Sequence, residues 1–235
     1  MSGLQGDSRY SLIDYLRVIA IGLMIVYHFS YDLFLMRLIE EAIIRQSFFV
    51  VMARSCAMLF LFCVGYSLAI NYRRYATVNE FYPRFFKNWL KVTLAAVAVS
   101  IGSYLIYPQW WIYFGILHCI SAASLLSLVF LSVPKIALTI GLLLMIVYWG
   151  WDVSLPWIKL PRGTLDYFPL FPWAGMVLIG LGAEQFAWHQ RLKPPSVAWV
   201  EFLSRHALVI YLMHQPMLLA GIWIYKKFIL TTIGA

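Results

Sequence analysis

Long apolar stretches alternate along this chain with short polar connections. The apolar stretches are about as long as the ~20 residues that a helix needs to cross a hydrocarbon core, and they lie at 12–35, 48–70, 89–107, 112–132, 136–151, 168–188 and 206–225. The fifth is short and follows a tight SVPK turn. With no internal repeat or low-complexity tract, the pattern predicts one domain, residues 1–235, that is all-α: a polytopic membrane bundle of about seven transmembrane helices.

Composition identifies the solvent of this bundle. The chain is 63% hydrophobic and 12% charged, whereas soluble domains are about 25% charged, so the lipid bilayer is its natural surrounding. The net charge of +8 is typical of cytoplasmic loops that face anionic lipid. We therefore expect a bilayer partner and no nucleic acid.

The distribution of basic residues predicts the orientation. Lys and Arg are more frequent on the side that contains the N-terminus, and NYRRY at 71–75 followed by RFFK at 84–87 is the strongest marker. Because basic loops stay in the cytoplasm, we expect a cytoplasmic N-terminus and, after seven spans, an outer C-terminus. The tryptophans of QWW and WGW suit an interfacial aromatic belt, with sugar stacking as the alternative on the outer side.

Several residues of reactive types are expected to be structural. Cys56 and Cys63 lie two helical turns apart, about 10 Å, which is too far for a disulfide, and Cys119 is also in an apolar segment. His189 and His206, in or beside a basic loop, are expected to be solvated. No metal-binding spacing, P-loop, GxSxG, HExxH or GxGxxG occurs, so we expect no metal.

The first apolar segment carries a stripe of ionisable residues. At 100° per residue, Asp14, Arg17, His28 and Asp32 fall within an arc of about 60° and span about 27 Å of helix. Such residues at membrane depth face the bundle interior and are functional candidates. A His28–Asp32 hydrogen bond would orient a general base. The alternative is local pairing alone, Asp14 with Arg17 and His28 with Asp32.

The seventh segment holds a second polar group at mid-membrane. His214 and Gln215 precede Pro216, which leaves the carbonyl of Leu212 without its helical donor. Such a break is tolerated at membrane depth where another group satisfies the carbonyl. Both side chains are therefore candidates for contact with a substrate.

Four more candidates lie in the predicted outer half of the bundle. Asp166 and Tyr167 begin the sixth segment at the outer rim, and His118 lies about two turns below the outer surface. Arg54 is on the outer half of the second segment. A packing role is the alternative for His118, and snorkelling toward the outer interface is the alternative for Arg54.

Five blocks of the sequence together resemble a known family. IDYLRVIAIGLMIVYHFSYDL, FFVVMARSCAMLFLFCVGYSLAI, WWIYFGILHCIS, DYFPLFPWAGMVLIG and LSRHALVIYLMHQP follow one another as in small bacterial members of the heparan-α-glucosaminide N-acetyltransferase catalytic-domain family. Arg17 and His28 also resemble the R-x10-H signature of acyltransferase family 3. One departure is that lysosomal relatives use a histidine in the first outer loop, and residues 33–47 contain none.

The resemblance implies an acyltransferase of the bacterial inner membrane that moves an acetyl group from cytoplasmic acetyl-CoA to a sugar or glycan acceptor outside. His28 would be the base or acyl carrier, with Asp32 orienting it and Arg54 or Tyr167 stabilising the oxyanion. The residues expected to bind the CoA donor are Asp14, Arg17, Arg73, Arg74, Arg84 and Lys87. Those expected to bind the acceptor are His118, Asp166, His214 and Gln215.

Two other function classes remain open. A proton-coupled transporter would also need an ionisable stripe across a bundle, although transporters often show inverted repeats and matching broken helices, and neither is visible. A non-catalytic membrane scaffold is the third class. The small-residue patch GMVLIGLG at 175–182 suits either internal packing or a homo-oligomer interface.

Overall fold

A computed structural model of the protein describes residues 11–44, 46–75, 78–153 and 155–233. Within these ranges the chain is helical and has no strand beyond an isolated bridge between Phe114 and Tyr167. The helices are α1 Ser11–Leu35, α2 Glu41–Ile44, α3 Ser47–Arg74, α4 Val78–Ile106, α5 Ile116–Ser127, α6 Pro134–Trp151, α7 Leu170–Ala183, α8 Trp188–Arg191, α9 Ala198–Arg205 and α10 Ala207–Ile233, with 3-10 turns at Leu128–Phe130 and Glu184–Phe186.

Each predicted apolar segment contains a helix, which confirms the all-α fold. The helices long and apolar enough to cross a membrane are Ser11–Leu35, Ser47–Arg74, Asn79–Ile106, Pro134–Trp151 and Ala207–Phe228. The apolar helices Ile116–Phe130 and Leu170–Phe186 are shorter. The described residues thus include five candidate membrane spans. Seven spans and the orientation stay predictions.

Two ends of the bundle carry different connections. We call the end that contains residues 11–17 and 184–206 the α9 end, and the end that contains residues 107–116 and 152–169 the loop end. At the α9 end, the Ser11 hydroxyl donates to the carbonyl of Pro194 (2.7 Å). At the other end of α1, the Lys226 ammonium donates to the carbonyl of Met36 (3.1 Å). Helix α1 therefore runs from the α9 end toward the C-terminal part of α10.

Glycines determine how closely α7 packs on its neighbours. A Cβ added to Gly65 of α3 would meet the carbonyl oxygen of Val177, and one added to Gly180 of α7 would meet that of Phe62. On the other side of α7, Gly175 approaches α6 in the same way. A Cβ added to Gly182 would meet the carbonyl oxygen of Pro134. Small residues permit such close backbone approach in membranes, so the three glycines of the GMVLIGLG patch pack internally.

The three cysteines are free and buried in the structure, as the sequence predicts. The core beside them includes Leu61, Ala123 and Val177, all within 2% of complete burial. Among the polar exceptions to this apolar interior, Asp14 and Asp32 lie toward the two ends of α1, and the candidate site is built around them.

Candidate active site

Helices α1 and α10 bring two predicted pairs of residues together. The imidazole rings of His28 and His214 have centroids 4.8 Å apart and planes inclined at 63°. The side-chain nitrogen of Gln215 donates to Asp32 Oδ1 at 2.6 Å. We call these four residues the His28–His214 cluster, since each helix contributes one histidine and one hydrogen-bonding partner.

The predicted hydrogen bond between His28 and Asp32 is wrong. Within the described residues the Asp32 carboxylate accepts from Gln215, and the His28 ring contacts His214 instead. The two α1 side chains do lie one turn apart on the same face. However, α10 packs against this face, and the side-chain amide of Gln215 donates to Asp32 Oδ1. The alternative of a satisfied local His28–Asp32 pair is wrong for the same reason.

Three atoms of the cluster are buried without a hydrogen-bond partner among the described residues: Asp32 Oδ2, His214 Nε2 and Gln215 Oε1. His214 Nδ1 lies 2.5 Å from the carbonyl oxygen of Tyr211. Because a carbonyl only accepts, Nδ1 carries the hydrogen, and Nε2 of the neutral ring is an acceptor. All three unpartnered atoms are therefore acceptors.

Unpartnered buried groups are unfavourable, at about 1–3 kcal/mol each, and a native structure keeps few of them. Asp32 is completely buried and His214 is 8% exposed, so bulk water does not satisfy these acceptors. Their concentration in one cluster makes it the candidate site, since a ligand rich in hydrogen-bond donors, or ordered water, would satisfy all three acceptors.

Helix α10 continues through Pro216 without a break. Pro216 has no N–H to donate to the carbonyl of Leu212. The preceding carbonyl, that of Tyr211, accepts from the His214 side chain. This contact fixes the ring rotamer of His214 and directs its other nitrogen away from the helix backbone. The proline therefore lies beside the site without interrupting the helix.

Two tyrosines that the sequence reasoning missed surround the cluster. The Tyr27 ring lies 5.4 Å from that of His28, and the Tyr211 ring lies 5.5 Å from that of His214. Their signal in the sequence is spacing, since Tyr27 is adjacent to one histidine and Tyr211 is one helical turn before the other. Both hydroxyls interact electrostatically with Asp166.

Asp166 connects the loop end to helix α5. Its Oδ2 accepts from the backbone N–H of Ile116 at 3.0 Å, in the first turn of α5, where a carboxylate is favourable for the helix dipole. Burial raises the pKa of Asp166 to about 6, against the lowering effect of the N–H groups of Ile116 and Tyr167. Asp166, predicted to bind the acceptor, thus lies between the connections of the loop end and the tyrosines around the cluster.

His118 fits the packing alternative. Its Nδ1 accepts from the N–H of Gly115 at 3.2 Å, and its Nε2 lies 3.1 Å from the Ser100 hydroxyl. Because that hydroxyl donates to the carbonyl of Ile112 at 2.7 Å, Nε2 is the donor to it. Both ring nitrogens are used within the chain, and they fix the start of α5 against α4.

The two predicted oxyanion-stabilising donors are not brought to His28. The Tyr167 hydroxyl donates to the carbonyl of Ile158 at 2.8 Å, which ties it to the loop end. Arg54 is exposed on α3 and forms no hydrogen bond or ion pair with the described part of the chain. Exposure of Arg54 agrees with the snorkelling alternative.

A satisfied polar network surrounds Arg17 toward the α9 end. Its Nη2 donates to the Ser67 hydroxyl at 2.6 Å and its Nη1 to Ser204 at 3.4 Å. The same nitrogen is 4.0 Å from Asp14 Oδ1, which accepts from Ser204 at 2.5 Å. The Asp14–Arg17 pair predicted as the local alternative is therefore present, although 31% of the Arg17 side chain remains exposed.

His189 is buried, so its predicted solvation is wrong. The chain turns through a left-handed conformation at Ala187 (φ 52°), which directs His189 beneath α3. There its Nδ1 lies 2.9 Å from the Tyr66 hydroxyl. Burial lowers the pKa of His189, and the nearby Arg73 guanidinium lowers it further. His206, by contrast, is exposed as predicted.

The basic residues predicted to bind the donor lie near the junction of α3 and α4. Arg73 Nε pairs with the buried Glu184 carboxylate at 2.9 Å, and the Arg84 guanidinium lies 4.3 Å from the centroid of the Tyr75 ring. Arg74 and Lys87 are exposed nearby. We call Arg73, Arg74, Arg84 and Lys87 the basic surface. Among the described residues, no group of three or more His, Cys, Asp or Glu side chains could hold a metal ion.

Comparison with known proteins gives one match. A family model described as "Heparan-alpha-glucosaminide N-acetyltransferase, catalytic" matches residues 9–216. A search of curated proteins and a search of solved structures found no significant match. The matched range extends from the start of α1 to Pro216, so it includes both halves of the His28–His214 cluster.

Proposed function

The chain belongs to the heparan-α-glucosaminide N-acetyltransferase catalytic family, and on this premise we propose that it is a transmembrane acyltransferase. It transfers an acetyl group from cytoplasmic acetyl-CoA to a hydroxyl or amine of a sugar or glycan on the other side of the membrane. The observation that carries the proposal is the His28–His214 cluster, where two histidines meet beside three buried, unpartnered acceptor atoms.

The α9 end faces the cytoplasm in this proposal, and the loop end faces outward across a bacterial cytoplasmic membrane. The basic surface supports this orientation because cytoplasmic segments are enriched in Lys and Arg. Seven membrane crossings, with α5 and α7 as the two short ones, then connect these ends.

The donor approaches from the basic surface. Guanidinium groups bind phosphates through paired N–H donors, and two of them are already oriented here, Arg73 by Glu184 and Arg84 by Tyr75. Arg17 lies deeper and retains an exposed edge. From Arg17 to His28 the distance along α1 is about 17 Å, which the extended pantetheine arm of CoA follows to bring the thioester to the cluster.

The acceptor binds at the cluster with its donors directed to Asp32 Oδ2, Gln215 Oε1 and His214 Nε2. A sugar hydroxyl or amine supplies O–H or N–H groups that match these acceptors. Asp32 and Gln215 therefore position the acceptor, in place of the base-orienting role first expected for Asp32.

His28 acts as the general base. It removes a proton from the acceptor as the new C–O or C–N bond forms, the C–S bond of the thioester breaks, and the CoA thiolate takes the proton back from His28. A two-step route through an acetyl-histidine has the same balance. The imidazole of His214, 4.8 Å from His28 by ring centroids, holds the acceptor beside the base.

A proton-coupled transporter is the second candidate, because ionisable residues lie near both ends of α1. The residues of α1 buried between Arg17 and His28 are Ala20, Ile21 and Met24, and none of them carries a proton. A relay along this helix would therefore need about 17 Å bridged by other groups, which favours the acyltransferase.

The test uses purified protein in nanodiscs with acetyl-CoA and a panel of amino sugars, and it measures release of the free CoA thiol. His28→Ala is expected to reduce turnover by about 10²-fold or more, as for loss of a general base, with the thermal unfolding midpoint retained. His206→Ala is the matched control, since this histidine is exposed.

Wild-type turnover in His28→Ala would disprove the assigned base. Absence of saturable acetyl-CoA binding by the wild-type protein, measured as a thermal shift, would disprove the acyltransferase itself. Proton-driven solute uptake by liposomes that contain the protein would favour the transporter.

A further inference from the structure

Arg162 lies exposed at the loop end, held on two aromatic rings. Its guanidinium carbon is 4.6 Å from the centroid of the Trp111 ring and 5.8 Å from that of Tyr113. It forms no hydrogen bond or ion pair with the described residues. Stacking occupies the face of a guanidinium and leaves the N–H donors at its edge available. The side chain is therefore oriented while its hydrogen-bonding capacity remains unused.

The loops that carry this arrangement are fixed by backbone pairing. The Leu165 N–H donates to the carbonyl of Trp110 at 2.8 Å, and the Thr164 hydroxyl donates to that of Trp111 at 2.9 Å. A Cβ added to Gly163 would meet the Trp110 ring, so the turn after Arg162 lies directly against this tryptophan. We call residues 110–115 and 160–168 the paired loops.

The paired loops are joined to the cluster through Asp166. This residue is four positions after Arg162 in the chain and accepts from Ile116 at the start of α5. It interacts electrostatically with Tyr27 and Tyr211, whose rings contact His28 and His214. The layer that presents Arg162 therefore lies near the residues around the proposed acceptor site, and Asp166 is the charged group between them.

Within the paired loops, the exposed charged side chain is Arg162. Arg162 and Lys159 are both exposed, and the Asp166 carboxylate is directed to the backbone of α5. A guanidinium fork with an aromatic support is suited to a planar carboxylate or to a phosphate, which accept two parallel N–H bonds.

We propose that Arg162, supported by Trp111 and Tyr113, is an oxyanion-binding site that receives a carboxylate or phosphate group carried by the acceptor. This inference rests on the proposed function and narrows it, because it selects acceptors that carry an anionic group as well as the acetylated hydroxyl or amine. The site binds the anion at the paired loops while the reacting group enters the cluster.

The first experiment measures binding without catalysis. Thermal unfolding of the protein in phosphatidylcholine nanodiscs is followed with glucosamine and with glucosamine 6-phosphate, two amines that differ by one phosphate. We expect the phosphate-bearing sugar to stabilise the wild type at a concentration about tenfold lower than glucosamine, as for a charge-assisted hydrogen bond. Arg162→Gln is expected to abolish this difference, and Arg162→Lys to restore only part of it.

Lys159→Gln is the matched control, since it removes one exposed positive charge from the same loop. It is expected to retain the preference for the phosphate. Equal stabilisation of the wild type by the two sugars would overturn the proposal, and so would an undiminished preference in Arg162→Gln. These binding results are independent of turnover, so an inactive wild type would disprove the proposed function and leave the oxyanion site to be judged by binding.

A second arm distinguishes a lipid headgroup as the source of the anion. Native mass spectrometry of protein released from nanodiscs that contain phosphatidylglycerol reports retained lipid. Acceptor binding predicts equal lipid retention by wild type and Arg162→Gln. Loss of retained phosphatidylglycerol in Arg162→Gln, without a phosphate preference for the sugar, would assign the site to lipid and overturn the proposal for the acceptor.

Discussion

The two ends of the α1 stripe differ in how completely their polar groups are paired. Near the α9 end, Asp14, Arg17, Ser67 and Ser204 satisfy one another. At the His28–His214 cluster, three buried acceptors have no partner among the described residues. A satisfied buried network adds rigidity, whereas an incomplete one is unfavourable unless a ligand completes it. In the proposed function, the stripe thus combines a structural part with a part that binds a ligand.

The largest effect is expected from replacing His214 with phenylalanine. His214→Phe keeps a ring against His28 and removes the unpartnered Nε2, so the thermal unfolding midpoint should stay or rise. Turnover should fall about 100-fold, because the acceptor loses a hydrogen-bonding partner and its position beside the base. Thermal unfolding and thiol-release assays on the same samples check this. A loss of stability with normal turnover would mean that His214 has a structural role, in contradiction to the role proposed for the cluster.

Asp14→Ala should show the opposite pattern. Removing one partner of a buried charged network is strongly destabilising, about 3–5 kcal/mol in full burial, and we expect about 2 kcal/mol here because Arg17 is partly exposed. The measurement is the free energy of unfolding in detergent titrations. Asp152→Asn, at an exposed position after α6, is the control: it removes a carboxylate, keeps a residue that tolerates the left-handed backbone there (φ 54°), and should leave this free energy unchanged.

The pH dependence of stability sharpens the description of the loop end. The pKa of Asp166 is about 6 in the folded protein against 3.8 for an ordinary aspartate, so the folded state holds the proton more tightly. The contribution of this raised pKa to the free energy of unfolding is fully present below pH 3.8 and is lost as pH rises through about 6. The unfolding midpoint should fall over that window, and Asp166→Asn should remove this part of the fall. An unchanged pH profile in Asp166→Asn would contradict the raised pKa.

Ser204→Ala is expected to have the smallest effect, about 1 kcal/mol for the loss of a hydrogen bond to a buried carboxylate. Because Ser204 also contacts Arg17, the KM for acetyl-CoA should rise a few-fold while kcat stays. Ser204→Thr keeps the hydroxyl and should rescue the KM. A change in kcat alone would place the effect in the chemical step and contradict the proposed donor-binding role of this end.

Periodicity and hydropathy are sufficient to predict that the apolar segments contain helices and that α1 carries a polar stripe, because these two features depend on local spacing. They predict that Asp14, Arg17, His28 and Asp32 share one face, and they include the Asp14–Arg17 pair as an alternative. They cannot say which helix packs on that face. The partner of Asp32 is 183 residues away in the chain, so the His28–Asp32 bond was the expected one and is absent.

The other differences between expectation and structure also arise from tertiary contacts. His189 lies in a basic, polar stretch, and only the turn at Ala187 and the position of Tyr66 explain its burial. The segment at 112–132 becomes helical only at Ile116, because residues 110–115 pair with 163–168 and Asp166 caps the helix. Neither feature has a signal within its own few residues.

The glycine contacts of α7 determine which parts of the protein are able to move. With backbones this close at Gly65, Gly180 and Gly175, helices α3, α6 and α7 form a block that does not slide without steric overlap. The contacts of α10 with α4 are less extensive. If the proposed function holds, we therefore expect a substrate to reach the buried cluster by displacement of α10 from α1 and α4, with the glycine-packed block as the stationary frame.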